Sequence, residues 1–383
     1  MSAATMFAGL NTPRLILDAD RLERNAARMR ARCDALGVAL RPHLKTAKST
    51  DVARVAANGE QGPITVSTLA EAEYFAAAGW RDILYTTAIA PAKLARVHNI
   101  QREHGARLLL VLDDREAAVA MGEAAAALGA QFGVLIEVDC GEHRSGTDPA
   151  SEELVAIAGV IAACSPQIEL MGVMTHAGHS YAFDDPAPIR ALAEVERHAS
   201  VASAELLRTR GYPCPIVSVG STPTVVFAEQ LRGVTEVRAG IYLFCDLSQL
   251  SRGVCAQDDI VVSVLATVIG HQRRGSSPSL ILDAGALALS KDVGANRFMP
   301  NAGYGLVCDA LTLEPLESLT VVTVHQEHGG VPVPDESWFE RLPIGSIVRI
   351  LPNHACLTCA AYTSYDVLRG GELAEEWPRT GGW

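Results

Sequence analysis

Eight short apolar runs recur through the first two-thirds of the chain, each followed by a stretch of helical periodicity. They are Val38–His43, Ile64–Ser67, Ile83–Thr86, Leu108–Leu112, Val134–Val138, Met171–Thr175, Ile216–Val219 and Thr235–Arg238. In the first helical stretch Leu22, Ala26, Met29, Cys33 and Leu36 share a face, and Gly37 supplies the stop. Asp20 with Glu23, and Thr68 with Glu71, have capping-box spacing, and Gly79 closes the next helix. Strand and helix in regular alternation make a parallel sheet, because antiparallel neighbours need only tight turns. Eight units predict closure into a (β/α)8 TIM barrel over residues 21–250. A doubly wound open sheet has the same alternation and is the alternative.

After residue 250 the rhythm changes. Ile260–Ile269, Ser279–Leu282, Leu319–His325 and Ser346–Leu351 read as strands between turns rich in Gly, Pro and Asn. This predicts a second, antiparallel β-rich domain over 251–383, joined by the N-terminal segment 1–20. A net charge of −12 excludes a general binder of nucleic acid or anionic membrane, since both need cationic surface. No apolar run is long enough to span a bilayer, and the N-terminus lacks the pattern of an export signal. Nine irregularly spaced cysteines then read as reduced thiols, and the expected address is cytoplasmic.

The chemistry concentrates at the ends of the predicted strands. Arg41-Pro42-His43-Leu44-Lys45 closes the first, and period-two alternation puts Arg41, His43 and Lys45 on one face. The C-terminal strand ends of a barrel carry its active site, where a partly desolvated lysine can form an imine. A solvated lysine opening a helix is the alternative. Gly220-Ser221-Thr222 follows the seventh strand and Arg238-Ala239-Gly240-Ile241-Tyr242 ends the eighth. Loops there often hold phosphate through small hydroxyls and glycines, although each string alone could be a simple turn. The loop Asp139–Gly146 brings Arg144 to the rim, either towards a ligand or in a salt bridge, and the next brings His176, His179 and Tyr181.

In the second domain His354-Ala355-Cys356 offers imidazole and thiolate two residues apart. On an extended segment they share a face and can ligate zinc or a similar divalent cation, with positions left for water or substrate. A buried cysteine beside a capping histidine is the alternative. Cys356 and Cys359 also form a CxxC, without the βαβ setting that a redox role requires.

Together RPHLKTAK, DCGEHRSG, GSTPT, RAGIY and PNHAC resemble the fold-type III pyridoxal-phosphate (PLP) enzymes, from Thr12 to Trp383. The branch is that of D-serine dehydratase, D-threonine aldolase and D-threo-3-hydroxyaspartate dehydratase. The resemblance implies a barrel of the alanine-racemase N-terminal type, with Lys45 holding PLP as a Schiff base. It further implies Arg144 at the phenolic oxygen and Ser221, Thr222, Gly240 and Ile241 at the phosphate. Arg238, His176 and Tyr181 compete for the ring nitrogen, and the assembly is a homodimer. The implied metal, at His354 and Cys356, is divalent (Zn, Mn, Co or Mg). Aldolases of the branch carry His-x-Asp there and dehydratases His-x-Cys, so the resemblance implies a lyase that dehydrates a β-hydroxy D-amino acid. D-threo-3-hydroxyaspartate is the first candidate. Retro-aldol cleavage, D-serine dehydration and a non-catalytic PLP carrier are the alternatives.

Overall fold

The computed structural model describes residues 3–274 and 277–383. The chain divides into two units: one runs to Ala26 and resumes over Ile241–Arg379, the other is Ala27–Gly240 with Thr380–Trp383. The first strand, β1 (Arg14–Asp18), belongs to the former.

The latter unit is the barrel. Its strands are β2 (Ala39–Leu40), β3 (Ile64–Val66), β4 (Asp82–Tyr85), β5 (Arg107–Leu112), β6 (Phe132–Glu137), β7 (Ile168–Met174), β8 (Ile216–Val219) and β9 (Glu236–Val237). All eight are parallel, in the order β2-β9-β8-β7-β6-β5-β4-β3. The ends of this path meet. His43 and Thr65 form a parallel bridge, with Leu44 N–H donating to Thr65 C=O and Thr65 N–H to Pro42 C=O. A doubly wound sheet would reverse its strand order midway and keep two open edges. The open-sheet alternative is therefore excluded, and the closed barrel predicted from the alternation is the fold.

Local signals explain most of the barrel's elements. Thr68 Oγ1 accepts the Glu71 amide at 3.1 Å, as its capping spacing predicts. Gly37 and Gly79 close their helices at φ +69° and +101°, a region that β-carbon sterics deny to most residues. The Asp20 cap is corrected: Asp18 Oδ1 accepts the Arg21 amide at 2.9 Å, whereas Asp20 accepts the Gly370 amide. The helix Ala19–Leu36 begins earlier than its sequence spacing suggests, so the cap shifts with it. Inside the barrel Leu84, Leu109, Val111, Leu135 and Met174 form one buried cluster.

The other unit is a mostly antiparallel ten-stranded sheet. Besides β1 it contains β10 (Val262–Gln272), β11 (Ser279–Leu282), β12 (Gly305–Asp309) and β13 (Pro315–Thr320). β14 (Thr323–Val324), β15 (Gly329–Pro332), β16 (Ile347–Pro352), β17 (Ser364–Arg369) and β18 (Glu372–Pro378) follow. β1 inserts between β10 and β17, antiparallel to the first and parallel to the second. The apolar run of β1 is only three residues long and was not among the predicted strands. Phe7, Ile16, Leu265, Ala310 and Leu368 pack around it.

Candidate active site

At the C-terminal ends of the barrel strands a cavity of about 380 Å³ is lined by Lys45, His43, Arg144, His176, Arg238 and Glu137. Ser67, Thr86, Thr87 and Ser145 add hydroxyls. Lys45 is exposed at this mouth, in a turn that follows the end of β2. The regular strand ends at Leu40, but its pairing with the last barrel strand runs on to His43, as predicted: the Arg41 and His43 amides donate to the Val237 and Ala239 carbonyls at 2.9 and 2.8 Å. Of the three residues predicted to share a face, two reach the cavity. His43 and Lys45 share the cavity, but Arg41 is buried among Glu236, at 2.9 Å, and Asp82, at 2.8 Å. Asp82 opens β4, at the strands' other end, so Arg41 is not available to a substrate.

The cavity is rich in charge. Burial, then the nearby Lys45 charge, pushes His43 well below its usual pKa and His176 down to about 3. Both rings are therefore neutral at neutral pH. His43 accepts the Lys45 amide at Nδ1 and lies near Ser67 Oγ (3.4 Å) and Thr86 Oγ1 (3.3 Å) at Nε2. His176 donates from Nδ1 to the Gly220 carbonyl, which leaves Nε2 as an acceptor. Arg238 is buried and donates to Ser218 Oγ and Thr175 C=O, both at 2.6 Å. Ser218 passes its own proton to Glu236 at 2.8 Å, so the guanidinium is held through a hydroxyl to a buried carboxylate. Burial lowers the Arg238 pKa and raises that of Glu137, which Arg144 approaches to 3.8 Å.

The remaining predicted residues are distributed around this mouth. Ser221 and Thr222 are buried at the start of the short helix Thr222–Phe227. Ser221 Oγ accepts the Thr224 amide as the cap and lies 3.1 Å from Ser180 Oγ. Gly240 touches the barrel's closure, where a β-carbon would lie 2.6 Å from the His43 carbonyl oxygen. Ile241 follows it in the chain, buried, and opens the other unit. Tyr181 is half-buried in the turn Gly178–Ala182 and does not line the cavity.

In the β-rich unit His354 and Cys356 are brought together, by a different local geometry from the one predicted. β16 ends at Pro352, His354 is extended, and Cys356 lies in the first turn of the helix Ala355–Cys359. The side chains nonetheless hydrogen-bond each other. Burial lowers the His354 pKa, but the hydrogen bonds to Asp292 and Cys356 prevail and raise it to about 11. Asp292 Oδ2 lies 2.7 Å from His354 Nδ1. The loop is fixed on both sides. Asn353 is fully buried, bonded to the Ala295 amide, Asn296 and Gly303, and Asp246 accepts the Ala355 amide at 2.9 Å.

Three features escaped the sequence reading. Glu137 was visible as the penultimate residue of a predicted strand, and its position at the rim was the available signal. Asp292 lies 62 residues from its partner His354. Glu196, in the middle of the helix Pro186–Thr209, joins two rim loops from behind. Nothing local marks either carboxylate.

Family models match both parts of the chain: the alanine racemase N-terminal domain over residues 17–248 and a putative serine dehydratase domain over 261–368. The chain is 45% identical to D-threo-3-hydroxyaspartate dehydratase of Delftia sp. (strain HT23) over 98% of each chain. The solved structure of that protein fits with a TM-score of 0.93, covering 98% of this chain and 99% of the other. A D-threo-3-hydroxyaspartate dehydratase solved as a Cys-to-Ala mutant in the metal-free form also gives 0.93, at 44% identity and the same coverage. D-serine dehydratase of Dictyostelium discoideum is 32% identical over 94% of this chain and 93% of its own. A barrel with a lysine-centred cavity, a β-rich unit with a paired histidine and cysteine, and full-length kinship lead to one assignment. The chain belongs to the family of D-threo-3-hydroxyaspartate and D-serine dehydratases, lyases built from an alanine racemase N-terminal domain and a serine dehydratase domain.

Proposed function

We propose that the protein is a PLP- and divalent-metal-dependent dehydratase of a β-hydroxy D-amino acid, converting D-threo-3-hydroxyaspartate to oxaloacetate and ammonia. The observation that carries this reading is Lys45, exposed in a cavity whose other cations, Arg144 and Arg238, are held by protein carboxylates and hydroxyls. Such a cavity suits an anionic aromatic cofactor, and its two neutral histidines add polar ring contacts without adding charge. The His354 and Cys356 donors touch each other, as two ligands of one cation must, and imidazole with thiolate suits a borderline cation such as zinc.

When bound, PLP supplies an electron sink for a carbanion at Cα, and the cation a Lewis acid for a departing hydroxide. Lys45 Nζ would hold the cofactor and would serve as the base that accepts the Cα proton. Arg144 is assigned to the phenolic oxygen, and Ser221, Thr222, Gly240 and Ile241 to the phosphate. Arg238 and His176 are favoured over Tyr181 for the ring nitrogen because both line the cavity with Lys45. Asp292 keeps the His354 Nδ1 proton in place, so that Nε2 faces a cation together with Cys356 Sγ.

Cysteine in place of a carboxylate beside His354 favours dehydration over retro-aldol cleavage, which needs a base for the substrate hydroxyl. Among the described residues no helix is long and apolar enough to cross a membrane, and we assign a cytoplasmic homodimer. The test supplies D-threo-3-hydroxyaspartate, D-serine and D-threonine separately and assays ammonia, keto acid and glycine. Ammonia with oxaloacetate from the first substrate is expected. Glycine from D-threonine or the hydroxyaspartate would replace this reading with an aldolase.

A further inference from the structure

Glu196 is 2% exposed, and among the described residues no cation contacts it directly, the Arg238 charge acting on it only from a distance. Its partners are three neutral donors. Oε1 accepts the amides of Ala177 (3.0 Å) and Gly220 (3.1 Å), and Oε2 accepts the Thr224 hydroxyl (2.7 Å). A buried carboxylate without a counter-ion is costly, and an apolar side chain would serve a helix–barrel contact with less penalty. What the carboxylate does that an apolar group could not is fix three points of the rim at once. Ala177 follows β7, Gly220 follows β8, and Thr224 stands in the first turn of the helix Thr222–Phe227.

Each point leads to a residue of the candidate site. Thr224 Oγ1 also accepts the Ser221 amide at 3.3 Å and meets Ser221 Oγ at 3.0 Å. The Gly220 carbonyl accepts the His176 Nδ1 proton, so both backbone groups of Gly220 are pinned, one by Glu196 and one by His176. Gly220 has no room for a side chain, since a β-carbon there would lie 2.7 Å from the Arg238 backbone nitrogen.

We propose that Glu196 is a positioning residue that sets the shape of the phosphate-binding turn Gly220–Thr224 and the orientation of His176. The inference rests on the PLP reading above and adds the group that preorganises the phosphate end of its site.

The test compares two cofactors on the purified full chain, PLP and the phosphate-free pyridoxal, by titrating their visible imine absorbance. Glu196→Ala strands the Ala177 and Gly220 amides. It is expected to weaken PLP binding by roughly tenfold or more while leaving pyridoxal binding nearly unchanged. Glu196→Gln keeps one acceptor oxygen for the two amides and should restore most of the PLP preference. Should Glu196→Ala fail to fold, Thr224→Val removes the hydroxyl that joins Glu196 to Ser221, leaves the Ala177 and Gly220 amides bonded, and is expected to lower the same ratio. A wild-type preference for PLP that persists through Glu196→Ala, or through Thr224→Val where that variant stands in, overturns the inference alone. A wild-type chain that binds neither compound overturns the cofactor reading and the inference with it.

Discussion

The Asp292 carboxylate holds Nδ1 of His354 across 2.7 Å, and Cys356 bonds the same imidazole. The hydrogen bond keeps Asp292 below its ordinary carboxyl pKa and decides which imidazole nitrogen carries a proton. A histidine ligand needs this support, because a ring free to rotate or change tautomer presents its lone pair only part of the time.

Asp292→Ala should therefore weaken metal binding by roughly 10–100-fold. Competition with a chromophoric chelator measures this directly. Unchanged affinity would show that the carboxylate does not orient the ligand.

Lys45→Ala should abolish the visible imine absorbance and all turnover, with the circular-dichroism spectrum of the fold preserved. Lys45 is exposed, and its amide bond to His43 Nδ1 survives in alanine, so the fold should tolerate the change. Retained absorbance would place the imine on another lysine.

Arg41→Met tests the correction made above. Removing a guanidinium from buried Glu236 and from Asp82 should cost on the order of 3–5 kcal/mol in denaturant unfolding. Substrate affinity in the folded fraction should be unaffected. A selective rise in KM for the dicarboxylic substrate would return Arg41 to the site.

Gly240→Ala places a methyl group 2.6 Å from the His43 carbonyl at the barrel's closure and should cost about 1–3 kcal/mol. Gly62→Ala meets no atom within 4 Å and should stay within roughly 0.5 kcal/mol of the parent. Equal effects of the two in thermal unfolding would argue against close packing at Gly240.

His176 gives the chain an acid-side dependence. It stays neutral in the fold down to about pH 3, whereas an unfolded histidine protonates near pH 6.5. Between these values the unfolded state binds the extra proton, so stability is complete above pH 6.5 and falls as pH drops towards 3. The slope from this group is at most about 1.4 kcal/mol per pH unit, and His43 shifts in the same direction. Urea unfolding at pH 7.5 and 5.5 should show a smaller difference for His176→Gln than for the parent.

The barrel was legible because its signals are local. Each strand is a short apolar run, each helix has a period, and Gly37 and Gly79 end helices by a backbone preference that belongs to single residues. The strand at Arg14–Asp18 was not legible, since three apolar residues carry no period. Arg41 was misread because its partner is distant. The ladder continues past it to His43, but the side chain finds Glu236, 195 residues away, instead of the cavity.

The amino-acid sequence by itself determined the alternating architecture, the lysine at a strand end and the pairing of His354 with Cys356, because each depends on residues within a few positions of one another. Only the tertiary structure decided that Asp292 orients His354, that Arg238 reaches Glu236 through Ser218, and that Glu196 ties Ala177 to Gly220 and Thr224. Those bonds join elements distant in the chain. A buried polar group takes whatever partner the closed barrel or sheet brings within about 3 Å, and no local spacing encodes which one that will be.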